Sequence, residues 1–248
     1  HSNAQIQEES TPFDIQKLEK EFTEEAKAIG EVQTYLRIKN YSEAEKRLSS
    51  LSSPAAELMR ARFFRLSGNL VAAKKSLSKL FAHPNIKPLV KLESGLVALA
   101  TQEYPRAATL LSPLLKENIF VKTKAALPLA EALIKSAPGN FIERRKEIKA
   151  ALPKSNPEAQ ALFLRFWQEA LEKTGKTKEA KEIALRRYIE EPVSKHAPST
   201  PPRALKADER LARGENFLSA HRNPKVIETL KNIPAQIQGE KRCRWYFA

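Results

Sequence analysis

The chain has 248 residues, of which 42% are hydrophobic and 29% charged, and it carries a formal net charge of +14. This composition excludes a disordered chain, and the length suffices to bury a core as one long array or as two modest domains. The single cysteine, Cys243, excludes an internal disulfide and a cysteine-based metal cluster, and no apolar run is long enough to span a membrane. The charge would suit nucleic acid, an anionic membrane surface or an acidic wall polymer. Because the basic residues are spread along the whole chain, with only short clusters, nucleic acid is disfavoured, and a solvated lysine-rich surface is the simplest interpretation.

Residues 1–12 are polar and are predicted to be a tag scar followed by a frayed N-terminus. The opening His1-Ser2-Asn3-Ala4 is typical of an expression-tag remnant, so a natural leader peptide could have been cut away before it. The absence of a signal peptide is therefore weak evidence about location, and both the periplasm and the cytoplasm stay open.

Internal repetition is the strongest signal in residues 13–191, where a helical-repeat array is predicted. Three segments share a small residue followed by apolar residues four and seven positions later, which places all three side chains on one stripe of a helix. These segments recur about one tetratricopeptide unit, roughly 34 residues, apart. A looser copy begins at Ala180 and Ala184 and fails at Arg187, and a further copy follows Asn223. The stripes are Ala44, Leu48 and Leu51; Ala73, Leu77 and Leu80; Ala107, Leu111 and Leu114; and Val226, Leu230 and Ile233.

A second amphipathic helix precedes each stripe, and helix start and stop signals support the pairing. Ser53 and Asn156 each stand before a first-turn proline as capping residues, while Gly68 and Gly175 stand where a helix end adopts left-handed backbone. A degenerate middle unit contains Pro128, which is expected to kink its first helix. These patterns predict an all-α fold, an α–α superhelix or tetratricopeptide-like solenoid of about ten to thirteen helices. The preceding stripes are Leu89, Leu92, Leu96 and Leu99, and Leu164, Trp167 and Leu171.

The array is interrupted at residues 192–205, where several prolines predict a surface loop or linker. Residues 206–248 are predicted to form a further helical repeat that is truncated at the C-terminus. Trp245, Tyr246 and Phe247 would belong to a first helix whose partner is missing, because a solenoid normally ends in a polar capping repeat.

Catalytic and metal-binding patterns are not found, so no catalytic residue, metal or cofactor is predicted. The histidines lie far apart and are expected at the surface, and neither a phosphate-binding glycine loop nor a nucleophile elbow occurs. Acidic pairs such as Glu190-Glu191 are interpreted as surface charges on helices. The histidines are His1, His83, His196 and His221.

Binding is the remaining class of function, and the first helix of each unit would supply the residues. Tetratricopeptide-like arrays present these helices along a concave surface to a peptide or another domain. The polar candidates on that surface are Arg62, Arg65, Arg165 and Gln168, each of which could also be an ordinary solvent-facing residue. Trp167 and Trp245 are interpreted as residues that pack between helices.

Three stretches of the second half resemble the N-terminal superhelical region of soluble lytic murein transglycosylases, namely 186–192, 207–215 and 242–248. In that family a helical superhelix precedes a lysozyme-like domain that cleaves peptidoglycan glycan strands without water. The resemblance implies a periplasmic location, and it implies a missing C-terminal catalytic domain and peptidoglycan as partners. Glu93-Ser94 contains the dipeptide of the family's catalytic motif, but it lies within a repeat helix and nothing after it matches, so the catalytic role is not carried over.

Two classes of function follow from the sequence. One is a non-catalytic helical-repeat region of a periplasmic lytic transglycosylase, which would position the catalytic domain or bind substrate. The other is an independent tetratricopeptide-type scaffold that binds a protein partner in cell-envelope assembly. The complete gene product would discriminate them, because a lysozyme-like domain after Ala248 supports the first class only.

Overall fold

The computed structural model of the chain describes residues 25–220 together with residues 225, 228 and 229. Within residues 25–220 the chain forms eleven α-helices and two short 3-10 helices, and that part of the chain contains no strand. The predicted all-α class is therefore confirmed. The helices are α1 (Ala26–Arg37), α2 (Tyr41–Leu48), α3 (Pro54–Leu66), α4 (Leu70–Ser78), α5 (Lys87–Ala100), α6 (Tyr104–Leu111), α7 (Ile119–Ser136), α8 (Pro138–Ala151), α9 (Pro157–Lys173), α10 (Thr177–Glu190) and α11 (Ala207–Ser219), and the 3-10 helices are Pro84–Ile86 and Ser112–Lys116.

The chain divides into two compact units, and the division falls inside the segment predicted as one array. The first unit contains residues 25–140 and 146–152. The described part of the second contains residues 141–145 and 153–220 with the three isolated positions. Each unit is built from helices that pack against their neighbours in the chain, as expected where connections are short.

In the first unit, consecutive helices pack in pairs, α1 with α2, α3 with α4, and α5 with α6. The first helix of each pair also contacts the first helix of the next pair, and α5 contacts α7 in the same way. The predicted stripes supply the core, because their small residue lets the second helix approach closely while the leucines fill the space beside it. Among the stripe residues, Ala44, Leu48, Ala73, Leu77, Leu80, Ala107, Leu111 and Leu114 are all buried.

The turns within four helix pairs adopt the same left-handed conformation, each at the residue two positions after the end of the first helix. Gly68 and Gly175 have φ values of 90° and 74°, as the sequence predicts. Lys39 and Gln102 occupy the equivalent position with φ values of 60° and 61°, although a side chain makes this conformation less favourable. In the turns at Lys39, Gln102 and Gly175, the amide that follows the left-handed residue donates to a carbonyl five residues earlier, for example Glu103 N to Ala98 O at 2.8 Å, and so satisfies the helix end.

The predicted helix starts are confirmed at both capping sites. The side chain of Ser53 accepts a hydrogen bond from Ala56 N, and that of Asn156 accepts one from Ala159 N, each at 3.1 Å. Pro128 lies inside α7, and the helix continues on both sides of it.

In the second unit, α10 packs against α9 and α11. A small core of Leu171, Ala180 and Ile183 is covered by Trp167, which confirms that Trp167 is a packing residue. A guanidinium fixes the next helix: Arg213 donates to the Tyr188 carbonyl and lies 3.5 Å from the centroid of its ring. Residues 191–206, here called the proline-rich loop, connect α10 to α11 through turns and bends.

Several sequence predictions fall outside the described residues. They are the stripe that begins at Val226, the aromatic run from Trp245 to Phe247, the histidines His1 and His221, and the resemblance over 242–248.

Candidate functional site

Arg187 occupies a position of the repeat that is leucine in the three regular copies. In those copies the third stripe residue is Leu51, Leu80 or Leu114, whereas in α10 the stripe Ala180, Ala184 ends at Arg187. This face of the helix points into its unit, so the arginine side chain is drawn inside and only 7% of the residue is exposed. A side chain with a permanent charge therefore lies where the fold ordinarily places an apolar one.

The guanidinium of Arg187 makes its hydrogen bonds to neutral acceptors. Its Nη1 donates to Oε1 of Gln168 at 2.5 Å, and its Nη2 donates to the carbonyl oxygen of His196. Its Nε is buried and has no hydrogen-bond partner in the described part of the chain. Glu172 and Glu191 act on Arg187 electrostatically, but neither forms an ion pair with it there, and burial lowers the pKa of Arg187. A buried charge without a directly bound counter-ion is costly, so the arrangement is not explained by stability.

The proline-rich loop closes over this guanidinium. The Ser194 hydroxyl donates to Oε2 of Glu158 at 3.1 Å, and the His196 backbone N–H donates to the Ser194 hydroxyl oxygen at 3.0 Å. His196 is only 9% exposed, and its Nε2 lies 3.9 Å from Oε2 of Glu158. The expectation of a surface histidine is wrong for His196, because Arg187 holds its carbonyl and the loop folds inward. Burial lowers the pKa of His196, and this effect outweighs the opposing charge of Glu158, so the ring is neutral at pH 7.

Glu191 begins the loop and is also wrongly predicted as a surface charge. It is half-buried, and burial together with the charges of Glu190 and Glu158 raises its pKa to about 7, although Arg187 and Arg186 oppose the rise. This carboxyl group therefore keeps its proton to a much higher pH than an ordinary glutamate does.

Two of the four predicted binding residues belong to this cluster. Gln168 accepts from Arg187 and donates from Nε2 to Glu172 at 2.8 Å. Arg165 lies three residues earlier on the surface of α9, where it is exposed. In the described residues its side chain makes no hydrogen bond or ion pair, yet it is close enough to Arg187 and His196 to oppose positive charge on both.

The other two predicted residues lie in the first unit. Arg65 is only 3% exposed, and its guanidinium holds both carboxylate oxygens of Glu93, with Nε to Oε1 at 2.5 Å and Nη2 to Oε2 at 3.4 Å. Arg62 is half-buried on the same helix. A ligand-binding role for Arg62 and Arg65 stays a prediction, whereas Arg165 and Gln168 stand beside an incompletely bonded cation.

The sequence interpretation missed Arg187, Glu191 and His196 as members of one site. The available signal was the break in the stripe at Arg187, since an arginine at a core position is rarely buried without a functional or pairing reason. The contributions of Glu191 and His196 depend on how the proline-rich loop folds, which no local pattern specifies.

Within the described residues, no group of three or more histidine, cysteine, aspartate or glutamate side chains could hold a metal ion. In the same part of the chain, no helix combines the length and the apolar character that crossing a membrane requires. Comparison with models of known protein families, with curated proteins and with solved structures gives no match.

Proposed function

We propose that this chain is the helical-repeat region of a periplasmic peptidoglycan lytic transglycosylase. Its role would be to bind cell-wall material or to hold the catalytic domain of that enzyme. The observation that carries the binding role is the repeated helix pair of the first unit, in which the first helices α1, α3 and α5 each contact the next one. In the proposed tetratricopeptide-like solenoid, such first helices would offer a continuous surface to an extended ligand or to another domain. The family and the location come from the resemblance of residues 186–192, 207–215 and 242–248.

Electrostatics supports a wall polymer as the ligand. The net charge of +14 attracts a polymer that carries free carboxylates, and it raises the rate of encounter at low salt. Arg165 contributes a cation that is exposed and unpaired among the described residues, beside the buried charge of Arg187.

Two of the described carboxyl groups, those of Glu93 and Glu191, differ in how well they could act as the acid that cleaves a glycan strand. The reaction needs a protonated carboxylic acid beside the scissile oxygen, with the sugar held in a cleft. Glu93 is poorly suited, because both of its oxygens are held by Arg65 inside the first unit. Glu191 keeps a proton up to a pH of about 7, so Glu191→Gln is the variant that an activity assay must include.

The test is to incubate purified sacculi with this chain and, in parallel, with the product of the complete gene. We expect the chain to sediment with sacculi at low salt, to bind less at high salt, and to bind poorly to sacculi whose carboxyl groups have been amidated. We expect the complete gene product alone to release anhydro-sugars. Release by the chain that disappears in Glu191→Gln would overturn the non-catalytic role. Failure of the chain to bind, together with no release by the folded complete product, would favour a scaffold for a protein partner.

A further inference from the structure

The unsatisfied hydrogen-bond donor of Arg187, its Nε, belongs to the edge of the guanidinium that also contains Nη2. The N–H bonds of Nε and Nη2 point the same way from this edge, and their spacing matches the two oxygens of a carboxylate. In Arg187, Nη2 is bonded to one carbonyl oxygen, that of His196, and Nε has no hydrogen-bond partner in the described part of the chain. These two adjacent nitrogens, which could hold two charged oxygens, are therefore bonded to a single neutral one.

Another buried arginine of this protein, Arg65, has the same two nitrogens bonded to a carboxylate. In the first unit, Nε and Nη2 of Arg65 each donate to a different oxygen of the Glu93 carboxylate. Both arginines are buried, so the contrast does not arise from exposure. What Arg187 lacks, relative to Arg65, is a carboxylate.

An exposed cation lies near the buried one. Arg165 is exposed on α9 and disfavours positive charge on both Arg187 and His196, so it stands close to the guanidinium that a ligand would reach. Gln168 holds Nη1 of Arg187, while Nη2 is bonded to the loop through the carbonyl of His196. A ligand carboxylate would meet one cation at the surface and a second behind it, which is a strong arrangement for a single anion.

We propose that Arg187, Arg165 and Gln168 form a binding site for a peptide carboxylate, and that the His196 carbonyl occupies this site until the ligand displaces it. The assignment rests on the proposed binding role of the chain and names the chemistry that one of its sites recognises. Residues 194–196 then act as a lid, whose closed position is held by the hydrogen bond from Ser194 to Glu158 and by the carbonyl on Arg187.

The affinity of the site for a carboxylate depends on how easily the ligand displaces the lid. A ligand that must open the loop binds more weakly than its contacts alone would allow, by the fraction of molecules in which the loop is already open. Weakening the lid without touching the cations should therefore strengthen binding. Ser194→Ala does this, because it removes the bond to Glu158 and the acceptor of the His196 amide.

The experiment is a titration with three short peptides, followed by calorimetry or by backbone NMR shifts. The first peptide is acetyl-Ala-Ala with a free C-terminal carboxylate, the second is acetyl-Ala-Glu amide, and the third is the neutral acetyl-Ala-Ala amide. We expect at least one of the two acidic peptides to bind and the neutral one not to bind. The stronger of the two identifies the source of the carboxylate, a chain end or an acidic side chain.

Four variants test the residues. Arg187→Gln and Arg165→Gln should each weaken binding about tenfold or more, whereas Arg186→Gln, which loses an exposed pair with Glu190 at 2.8 Å, should leave it unchanged. Ser194→Ala should tighten binding about three- to tenfold. If Arg187→Gln fails to fold, Arg165→Gln carries the test, since its side chain lies at the surface.

Several results would overturn the site. They are equal binding of the neutral peptide, equal losses in Arg186→Gln and Arg187→Gln, and weaker binding in Ser194→Ala. The proposed function fails separately: peptides that bind as expected while sacculi do not would leave the carboxylate site standing without its wall polymer. Sacculi that bind while neither acidic peptide does would overturn the site alone.

Discussion

Two buried arginines distinguish the two units of this protein. In the first unit Arg65 is paired through two hydrogen bonds with the carboxylate of Glu93, while in the second Arg187 is bonded to an amide side chain and a backbone carbonyl. In a buried ion pair, the attraction between the two charges offsets the free energy that each loses on leaving water, so no further partner is needed. A buried cation bonded only to neutral acceptors has no counter-ion to offset its desolvation. Natural proteins retain such features chiefly where a ligand or a moving segment uses them. The buried arginine of the first unit thus serves stability, whereas that of the second unit keeps a charge available.

The largest expected effect comes from breaking the complete pair. Arg65→Met should lower the free energy of unfolding by about 3–5 kcal/mol, because it leaves the Glu93 carboxylate buried without a partner. Chemical denaturation at neutral pH, monitored by circular dichroism, measures the loss. Arg47→Met is the matched control, since its pair with Glu31 is much more exposed and should cost less than about 1 kcal/mol. Equal losses in the two variants would contradict the importance of burial.

The second effect is the pH dependence of the free energy of unfolding that Glu191, in the second unit, contributes. The pKa of Glu191 is about 7 in the folded chain and ordinarily 4.5, so between these values the folded state holds a proton that the unfolded state has lost. The contribution of Glu191 to stability therefore falls as the pH rises from about 4.5 to 7 and stays level above that. Glu191→Gln should stabilise the chain by roughly 1–3 kcal/mol at pH 8 and have little effect at pH 4.

Paired denaturation curves of the parent and Glu191→Gln at several pH values test this dependence. His196 acts in the opposite direction, because its lowered pKa makes the folded state lose stability as the pH falls through 6.5. The histidine is present in both proteins, so the difference between them isolates Glu191 to a first approximation. A difference that grows toward acid pH would contradict the assignment.

The third effect concerns the left-handed turns, where a residue with a side chain in one unit can be compared with a glycine in the other. The first unit places Gln102 in a conformation that costs a side chain energy, and the second places Gly175 in the equivalent turn. We expect Gln102→Gly to stabilise by up to about 1 kcal/mol and Gly175→Gln to destabilise by about the same amount. Thermal melts of both variants measure the changes, and a loss of stability in Gln102→Gly would show that its side chain makes contacts worth more than the strain.

Regular features of this fold could be predicted from the sequence because they depend on neighbouring residues. The stripes such as Ala107 and Leu111, the Ser53 cap and the left-handed Gly68 each follow from spacing or from backbone chemistry within one or two helical turns. The left-handed Gln102 could not be predicted, since the tight connection between two packed helices overrides its own preference. The site around Arg187 could not be assembled either, because it depends on a loop that returns to α9 and α10 only after both have formed.

The smallest expected effect is the most informative for the comparison of the two arginines. Arg187→Met should change the free energy of unfolding by less than about 1 kcal/mol, or raise it slightly, because methionine restores an apolar residue at a position that is leucine in the regular repeats. The loss of two hydrogen bonds to Gln168 and His196 opposes this gain. The same substitution at Arg65 should be strongly destabilising, and both variants can be followed by one denaturation protocol. A large loss of stability in Arg187→Met would mean that the guanidinium is a structural tie for the proline-rich loop. Near-neutral stability combined with the loss of carboxylate binding would show that the second unit keeps this buried charge for its ligand.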